Sequence, residues 1–192
     1  MENTTYENLV IANGKLTEGN KSLTKKEFIN CEFNACDFSQ VDFSYSVFEN
    51  CSFNDCNLSM AKFNDSRLAK VTFNKCKLLG ILFCACDPFI LNVDFLSCLM
   101  QSCNFSNLNL NKTAFRECKL IENDFIDTQL VSSEFTGAVF ECTVFHHCNL
   151  TKADFSYAEG YQIHSQNNTL KKAVFTLPGA VGLLRHLDIV LK

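Results

Sequence analysis

Cysteine and histidine are the residue types in this chain that could carry nucleophilic or metal chemistry. The sequence holds 12 cysteines and 4 histidines. A Cys/His pair could supply a nucleophile with its base, and four Cys or His side chains that converge tetrahedrally could bind zinc. Each kind of site requires the fold to bring its members together, so the spacing of these residues is the first test.

Most cysteines follow a regular spacing that is not the spacing of a metal site. Ten of them recur at multiples of five residues within two series: Cys31, Cys36, Cys51, Cys56, Cys76 and Cys86, then Cys98, Cys103, Cys118 and Cys148. A repeat produces such a pattern by itself, so we expect these thiols to be buried and unreactive. Cys84 and Cys142 lie outside both series.

The histidines do not complete a catalytic arrangement in the sequence. His146 and His147 are adjacent, so we expect their side chains to diverge on an extended segment, and His164 and His186 are far along the chain. No Ser/His/Asp or Cys/His arrangement and no glycine-rich phosphate loop is visible. The sequence therefore predicts a protein without enzymatic activity, with no catalytic residue, no metal and no cofactor.

Composition narrows the class of protein further. The chain has 192 residues, with 21 acidic and 17 basic residues, so its net charge is −4. That balance argues against a polybasic nucleic-acid binder, and we expect no direct nucleic-acid partner. The longest uncharged apolar run, residues 78–86, is too short to span a membrane. The first ten residues are polar and contain no signal peptide, and a chain that is neither short nor secreted is not expected to use its 12 cysteines as a disulfide scaffold, so the sequence predicts a cytoplasmic protein.

Phenylalanine is the residue type whose positions determine the fold. A bulky apolar residue stands at each fifth position from Phe28 to Phe83, and the series resumes, two residues out of frame, from Phe95 to Phe155. These 25 positions hold 17 Phe, 7 Leu and 1 Met. A second series, two residues earlier in each unit, consists mostly of small or medium uncharged residues. Polar residues fill the positions between.

Neither a helix nor a plain strand places residues five apart on one face, but a coil that turns a corner every five residues does. Four sides close a square, so residues 20 apart stack and neighbouring coils pair as parallel strands. The pattern predicts about six and a half coils, roughly 30 Å at the strand spacing. One such stack forms the predicted core ladder: Phe33, Phe53, Phe73, Phe95, Phe115, Phe135 and Phe155.

Segments such as residues 36–40, 61–65 and 153–157 resemble the A(D/N)LXX unit of pentapeptide-repeat proteins. The resemblance covers residues 26–160 and implies an all-β fold, a right-handed quadrilateral parallel β-helix. We expect an N-terminal cap over residues 1–25 and a capping or dimerisation segment over 161–192. Leu177–Leu187 predicts a short C-terminal α-helix with Pro178 in its first turn.

The C-terminal segment is also similar to the ends of Qnr-type, MfpA-type and microcin-immunity pentapeptide proteins. That resemblance implies a homodimer formed end to end, with a candidate interface at Val181, Leu183, Leu184, Leu187 and Ile189. The alternative is a monomer in which this segment only caps the last coil, because a helix this short is not stable alone in water.

The slip between the two series lies at residues 87–92 and has two possible meanings. It is a bulge with Phe89 or Leu91 folded inward, or it is an exposed apolar bump that contacts a partner. The candidate partner-contact residues here are Asp87, Pro88, Phe89, Ile90 and Leu91.

Charge is distributed in blocks along the chain. Residues 27–61 carry a net charge of −6, residues 62–77 a net charge of +4, and residues 113–160 a net charge of −5. The pattern is that of an ordinary solvated surface or of a rod that imitates the charge of duplex DNA. For the second case the candidate contacts are Glu117, Glu122, Asp124, Asp127, Glu134 and Glu141.

The resemblance implies a non-enzymatic bacterial protein that binds DNA gyrase or topoisomerase IV where DNA would lie, and so gives quinolone resistance or immunity to a gyrase poison. The alternative is a protein-interaction scaffold for another bacterial partner. A third class, a protein that binds a small molecule or antibiotic, has less support in the sequence.

Overall fold

Short parallel strands form the walls of a coil that closes on itself every four sides. The computed structural model describes residues 4–13, 22–177 and 179–187. In these ranges the strands are β1 Thr4–Glu7, β2 Val10–Ala12, β3 Lys26–Ile29, β4 Glu32–Asn34, β5 Val47–Glu49, β6 Ser52–Asn54, β7 Arg67–Asn74, β8 Lys77–Leu79, β9 Leu91–Leu96, β10 Leu99–Gln101, β11 Phe115–Arg116, β12 Lys119–Ile121, β13 Asp124–Ile126, β14 Val139–Glu141, β15 Val144–His146, β16 Asp154–Phe155 and β17 Val174–Phe175. Two 3-10 helices span Phe83–Ala85 and Gly179–Leu187.

Each strand pairs in parallel with the strand one coil later. Phe33 pairs with Phe53 and Phe53 with Phe73, an interval of 20 residues, as the sequence predicts. We number the sides in chain order from residues 26–30 (first side), 31–35 (second), 36–40 (third) and 41–45 (fourth). Residues 20 further along the repeat lie on the same side, and the interval becomes 22 across the slip and between residues 4–12 and the first repeat coil.

Phenylalanine fills two opposite sides of the interior. On the second side the rings from Phe33 to Phe175 stack at 4.7–5.3 Å between centroids, with planes within 20° of parallel. A second ladder runs on the fourth side from Phe43 to Phe145. Rings of the two ladders meet edge to face across the axis, as Phe105 does with Phe115 at 5.7 Å and 90°. The seven members of the predicted core ladder are at most 1% exposed.

From Leu58 onward, the first and third sides are filled mainly by aliphatic residues. Leu58, Leu78, Met100 and Leu120 stack on the third side and are fully buried. Aromatic ladders on two sides and aliphatic side chains on the other two fill the interior at the close packing of a protein core. The interior therefore offers no room for a ligand along the described coils.

The small residues of the second series bond one coil to the coil before it. The thiol of Cys51 donates to the carbonyl of Phe28 at 3.3 Å, and the hydroxyl of Ser66 donates to the carbonyl of Phe43 at 2.8 Å. Asn123 makes the equivalent bond through its side-chain amide. Cysteine, serine and asparagine are interchangeable here because each is small and each can donate a hydrogen bond.

The corners between sides require left-handed backbone. Non-glycine residues recur there every five positions, with φ between 49° at Cys142 and 65° at Lys112. Gly160 is the corner where a side chain cannot be accommodated, because a Cβ atom would lie 2.2 Å from the carbonyl oxygen of Phe140. The chain leaves the regular repeat at this point, and Tyr161 enters the core instead of residue 160.

The slip is a bulge on the first side. The backbone N–H of Leu68 donates to the carbonyl of Ile90 at 3.0 Å, and the register between Leu68 and Val71 shifts to absorb the two extra residues. Leu91 packs partly against the core, whereas Phe89 is 94% exposed. Both alternatives from the sequence therefore hold in part, with Leu91 inward and Phe89 outward.

The coil begins before the first repeat visible in the sequence. β1 pairs with β3 and β2 with β4, and the Tyr6 ring stacks on Phe28 at 5.1 Å. Residues 4–13, which lie in the segment that the sequence predicts as an N-terminal cap, thus form two sides of a further coil. With the C-terminal extension to Phe175, the solenoid has about eight turns rather than six and a half.

The C-terminal helix is a 3-10 helix, Gly179–Leu187, and not the α-helix that the sequence predicts. A Cβ atom on Gly179 would lie 2.8 Å from the Tyr161 hydroxyl, so the helix packs against this ring at a distance that only glycine permits. Glycine is a poor α-helix former, which favours the tighter turn seen here. Within the described residues, no helix is long and apolar enough to cross a membrane.

Truncation of one ring in the core ladder tests this packing. We expect Phe115→Ala to lower the free energy of unfolding by about 3–5 kcal/mol, because the lost ring leaves a cavity between two stacked neighbours. The matched control is Phe89→Ala, which removes an exposed ring and should change stability by less than about 0.5 kcal/mol. Urea denaturation followed by circular dichroism measures both, and a loss below about 1 kcal/mol for Phe115→Ala would contradict an interior position.

Candidate interaction surface

Burial keeps several of the core thiols in their protonated form. Burial raises the pKa of Cys103 to about 11 and that of Cys86 to about 12. Burial likewise raises the pKa of Cys51 to about 11. At neutral pH such thiols are not nucleophiles and not metal ligands, because both roles need the thiolate. Cys84 and Cys142 are exposed, as their positions outside the two series suggested.

The histidines form a contact that the sequence analysis predicted wrongly. The rings of His146 and His147 lie 3.9 Å apart between centroids instead of diverging. The reason is the corner: His147 has a φ of 54°, which turns its side chain back beside its neighbour. His147 Nδ1 lies 3.4 Å from the carboxylate of Asp127. Within residues 4–13, 22–177 and 179–187, no group of three or more His, Cys, Asp or Glu is placed to hold a metal ion.

The acidic residues of 113–160 are divided among three sides of the rod. Glu117 and Glu134 lie on the second side, Glu122 and Glu141 on the third, and Asp124 and Asp127 on the fourth; Asp154 and Glu159 belong to the second and third sides. We call the second, third and fourth sides over residues 113–160 the acidic sides. The six candidate contacts from the sequence thus do not form one cluster but wrap around most of the rod.

Several of these carboxylates already have partners. Glu134 pairs with Arg116, the hydroxyl of Ser97 donates to Glu117 at 3.0 Å, and that of Ser102 donates to Glu122 at 3.2 Å. A hydroxyl partner orients a carboxylate without neutralising it. The acidic sides therefore keep most of their charge.

The slip contributes an exposed aromatic ring on the remaining side. Asp87 accepts a hydrogen bond from the backbone N–H of Phe89 at 3.0 Å and pairs with Arg67 at 3.2 Å, so it holds the loop in place. Ile90 is 40% exposed, and Leu91 belongs to the core. Of the five candidates in this segment, Pro88, Phe89 and Ile90 are exposed, and the Phe89 ring is 94% exposed.

The C-terminal end of the rod carries an apolar surface beside a groove. Val181 and Leu184 are exposed, whereas Leu183 packs against the core. The Leu187 side chain and all of Ile189 lie outside the described residues. The groove has a volume of about 460 Å³ between the last coil and the 3-10 helix, and its lining includes Tyr157, Leu177 and Val181.

Sequence reasoning missed two residues of this end. Leu177 is 81% exposed and Tyr157 is 75% exposed, and both stand at corners of the second side. The sequence does contain a signal for these two residues, since positions 157 and 177 are the same corner on successive coils. Sequence reasoning treated that position as polar, because most corners hold Asn, Asp, Lys or Ser.

Known proteins share this repeat and this coil. Residues 26–88 and 48–125 match the model of the pentapeptide repeat region, and residues 129–159 match that of pentapeptide repeats in eight copies. No curated protein sequence matches the chain. Among solved structures, full-length QnrB1, a plasmid-mediated fluoroquinolone resistance protein, is 19% identical over 96% of this chain and 100% of its own, with a TM-score of 0.40.

Two further structures are similar in the same way. HetL from the cyanobacterium Nostoc sp. strain PCC 7120, a pentapeptide repeat protein involved in heterocyst differentiation regulation, is 13% identical over 80% of this chain and 84% of its own, with a TM-score of 0.29. A pentapeptide repeat protein from the Arabidopsis thaliana thylakoid lumen is 16% identical over 66% and 70%, with a TM-score of 0.28. Because the repeat-region model spans more than half of the sequence, the chain belongs to the pentapeptide-repeat family.

Proposed function

We propose that this protein acts without catalysis, as a rod whose acidic sides bind the DNA-binding groove of DNA gyrase or topoisomerase IV. The observation that carries the proposal is the arrangement of the eight acidic residues of 113–160, which lie on three consecutive sides. A rigid negative surface of this kind complements a groove built for duplex DNA. Binding there would displace DNA or a gyrase poison and so protect the enzyme.

The interior supports a role in binding and not in chemistry. Aromatic and aliphatic side chains fill the described coils, and burial keeps the thiols of Cys51, Cys86 and Cys103 protonated. What remains for function is the outer surface and the two ends. A recognition protein needs only these, and its specificity then depends on charge pattern and shape.

We further propose that two copies join through their C-terminal ends. Leu177, Val181 and Leu184 expose apolar surface at one end of the rod, beside the open edge of the last coil. Unpaired strand edges and exposed apolar residues favour association, and a two-fold contact would cover both at once. The dimer would double the length of acidic surface along one axis.

A supercoiling assay tests the gyrase proposal. Micromolar protein should alter supercoiling by purified gyrase or relieve its poisoning by ciprofloxacin, and the effect should weaken with salt because exposed charges are screened within about 10 Å at 0.1 M. The charge-reversal variant E122K/E141K on the third side should lose at least about ten-fold in potency, since like charges placed against a basic groove cost several kcal/mol.

The matched control is E7K/E49K, which makes the same change in net charge on the first side near the N-terminal end. It should keep its potency to within about three-fold, because those positions lie outside the acidic sides. If wild-type protein has no effect on gyrase at micromolar concentration and does not retain gyrase in a pull-down, the gyrase proposal fails. The scaffold alternative would then stand in its place.

Light scattering tests the dimer. Wild-type protein should have twice the 21.7 kDa mass of one chain, and Leu184→Asp should reduce it to a single chain, because a buried unpaired carboxylate opposes association. The matched control is Leu82→Asp, an exposed leucine on the fourth side, which should remain dimeric. A single-chain mass for the wild type, or an unchanged mass for Leu184→Asp, would contradict an interface at this end.

A further inference from the structure

The first side of the rod reverses its charge along the axis. Near the N-terminal end its outward residues include Glu7, Glu27 and Glu49. From the coil that contains Arg67 onward, its outward residues include six bases: Arg67, Lys70, Lys112, Lys152, Lys171 and Lys172. We call the outward residues of the first side from Arg67 to Lys172 the basic side.

Acidic residues are nearly excluded from the basic side. Segments 108–112, 128–132, 148–152 and 168–172, which form the first side of successive coils, contain no Asp or Glu. The one acid between Arg67 and Lys172 on this side is Asp87, which pairs with Arg67 at 3.2 Å. Among the described residues, no carboxylate lies within 4.0 Å of the ammonium groups of the five lysines. The acids of 113–160 all lie on the other three sides, so the separation is complete over these coils.

Carboxamides form a row beside these lysines. Asn109, Gln129 and Asn149 occupy equivalent positions on successive coils, and the amide of Asn149 donates to the Gln129 side-chain oxygen at 3.1 Å. Each carboxamide has both a donor and an acceptor. The oxygens of Asn109 and Asn149 already accept the backbone N–H groups of Asn111 and Thr151, so the row offers mainly its amide N–H donors, which can bond to acceptor atoms on the edges of nucleic-acid bases.

The exposed aromatic ring lies on the same side. Phe89 is 94% exposed in the coil between the Lys70 and Lys112 coils. The loop that carries it is fixed by the Asp87 carboxylate, which bonds to both the Phe89 N–H and Arg67. Proteins hold single-stranded nucleic acids with exposed aromatic rings placed among basic side chains. The nucleobases stack on the rings, and the basic side chains contact phosphates.

We propose that the basic side binds a single strand of nucleic acid. Five coil spacings separate Arg67 from Lys172, about 24 Å at the strand spacing, a length sufficient for a strand of a few nucleotides. Lysines would contact phosphates, Phe89 would stack on a base, and the carboxamide row would bond to base edges. An acidic peptide would match the lysines but would leave the aromatic ring without a base to stack on.

This proposal revises the expectation, drawn from the net charge of −4, that nucleic acid is not a partner. The total charge sums over all four sides, whereas a bound strand meets only one of them. The nucleic-acid proposal is independent of the gyrase proposal. It concerns the first side, which is not one of the acidic sides, and its test contains no gyrase.

Fluorescence anisotropy with a labelled 15-nucleotide oligo(dT) tests the basic side. At 50 mM salt the full-length protein should bind with a Kd below about 100 μM, the range of non-specific binding. The variant K112E/K152E/K172E should bind at least about ten-fold more weakly, and its plot of log K against log salt should be shallower by about 2, since each phosphate contact on a single strand contributes about 0.7. Glutamate already occupies left-handed corners at Glu117 and Glu122, so these substitutions fit the backbone.

Two further variants separate charge from stacking. K75E/K77E/K119E makes the same change in net charge on the second and third sides, and it should lose less than about three-fold in affinity. Phe89→Ala should lose between about five-fold and about a hundred-fold while keeping the salt slope, because stacking does not release counterions. Circular dichroism melting should show that all three variants remain folded.

Three results would overturn the proposal. The first is no binding of the oligonucleotide at 50 mM salt. The second is an equal loss of affinity in K75E/K77E/K119E and K112E/K152E/K172E, which would indicate net charge alone. The third is equal affinity for poly-glutamate of similar charge, which would assign the basic side to an acidic protein segment instead.

Discussion

Stacking of one bulky side chain on the next, coil after coil, is the interaction on which the rest of this structure depends. Each ring of the second-side ladder lies 4.7–5.3 Å from its neighbours, close to the spacing that parallel strands impose. The backbone ladder and the aromatic ladder thus have the same repeat. Because the interior is filled in this way, recognition is left to the outer surface and the two ends.

The same repeat that builds the core also sorts the surface. Outward residues 20 apart fall on one side, so a bias in their charge becomes a stripe along the rod. Here the acids of 113–160 occupy the second, third and fourth sides, and lysines and carboxamides occupy the first side. The two proposed interactions therefore concern different sides of one rod.

Departures from the repeat lie where the rod has distinctive chemistry. The two-residue slip exposes Phe89 on the basic side, and the irregular path after Gly160 brings Tyr161 into the core and supports the C-terminal helix. Regular units are interchangeable with one another, so they cannot by themselves mark a position along the axis. An interruption or an end occurs at one place along the rod, so a partner that contacts it binds at a defined position on the axis.

The period of five by itself determined the coil, its four sides, the core ladder and the burial of ten cysteines, because every inward position is constrained by packing and leaves a trace in the sequence. The outcome at Tyr6, Tyr161 and the 3-10 helix was decided only by tertiary structure, since these segments join the coil without repeating its pattern. The same holds for the contact between His146 and His147, which depends on a left-handed corner. Outward side chains are free of packing constraints, so their grouping into acidic and basic sides becomes visible only when the coils are stacked in register.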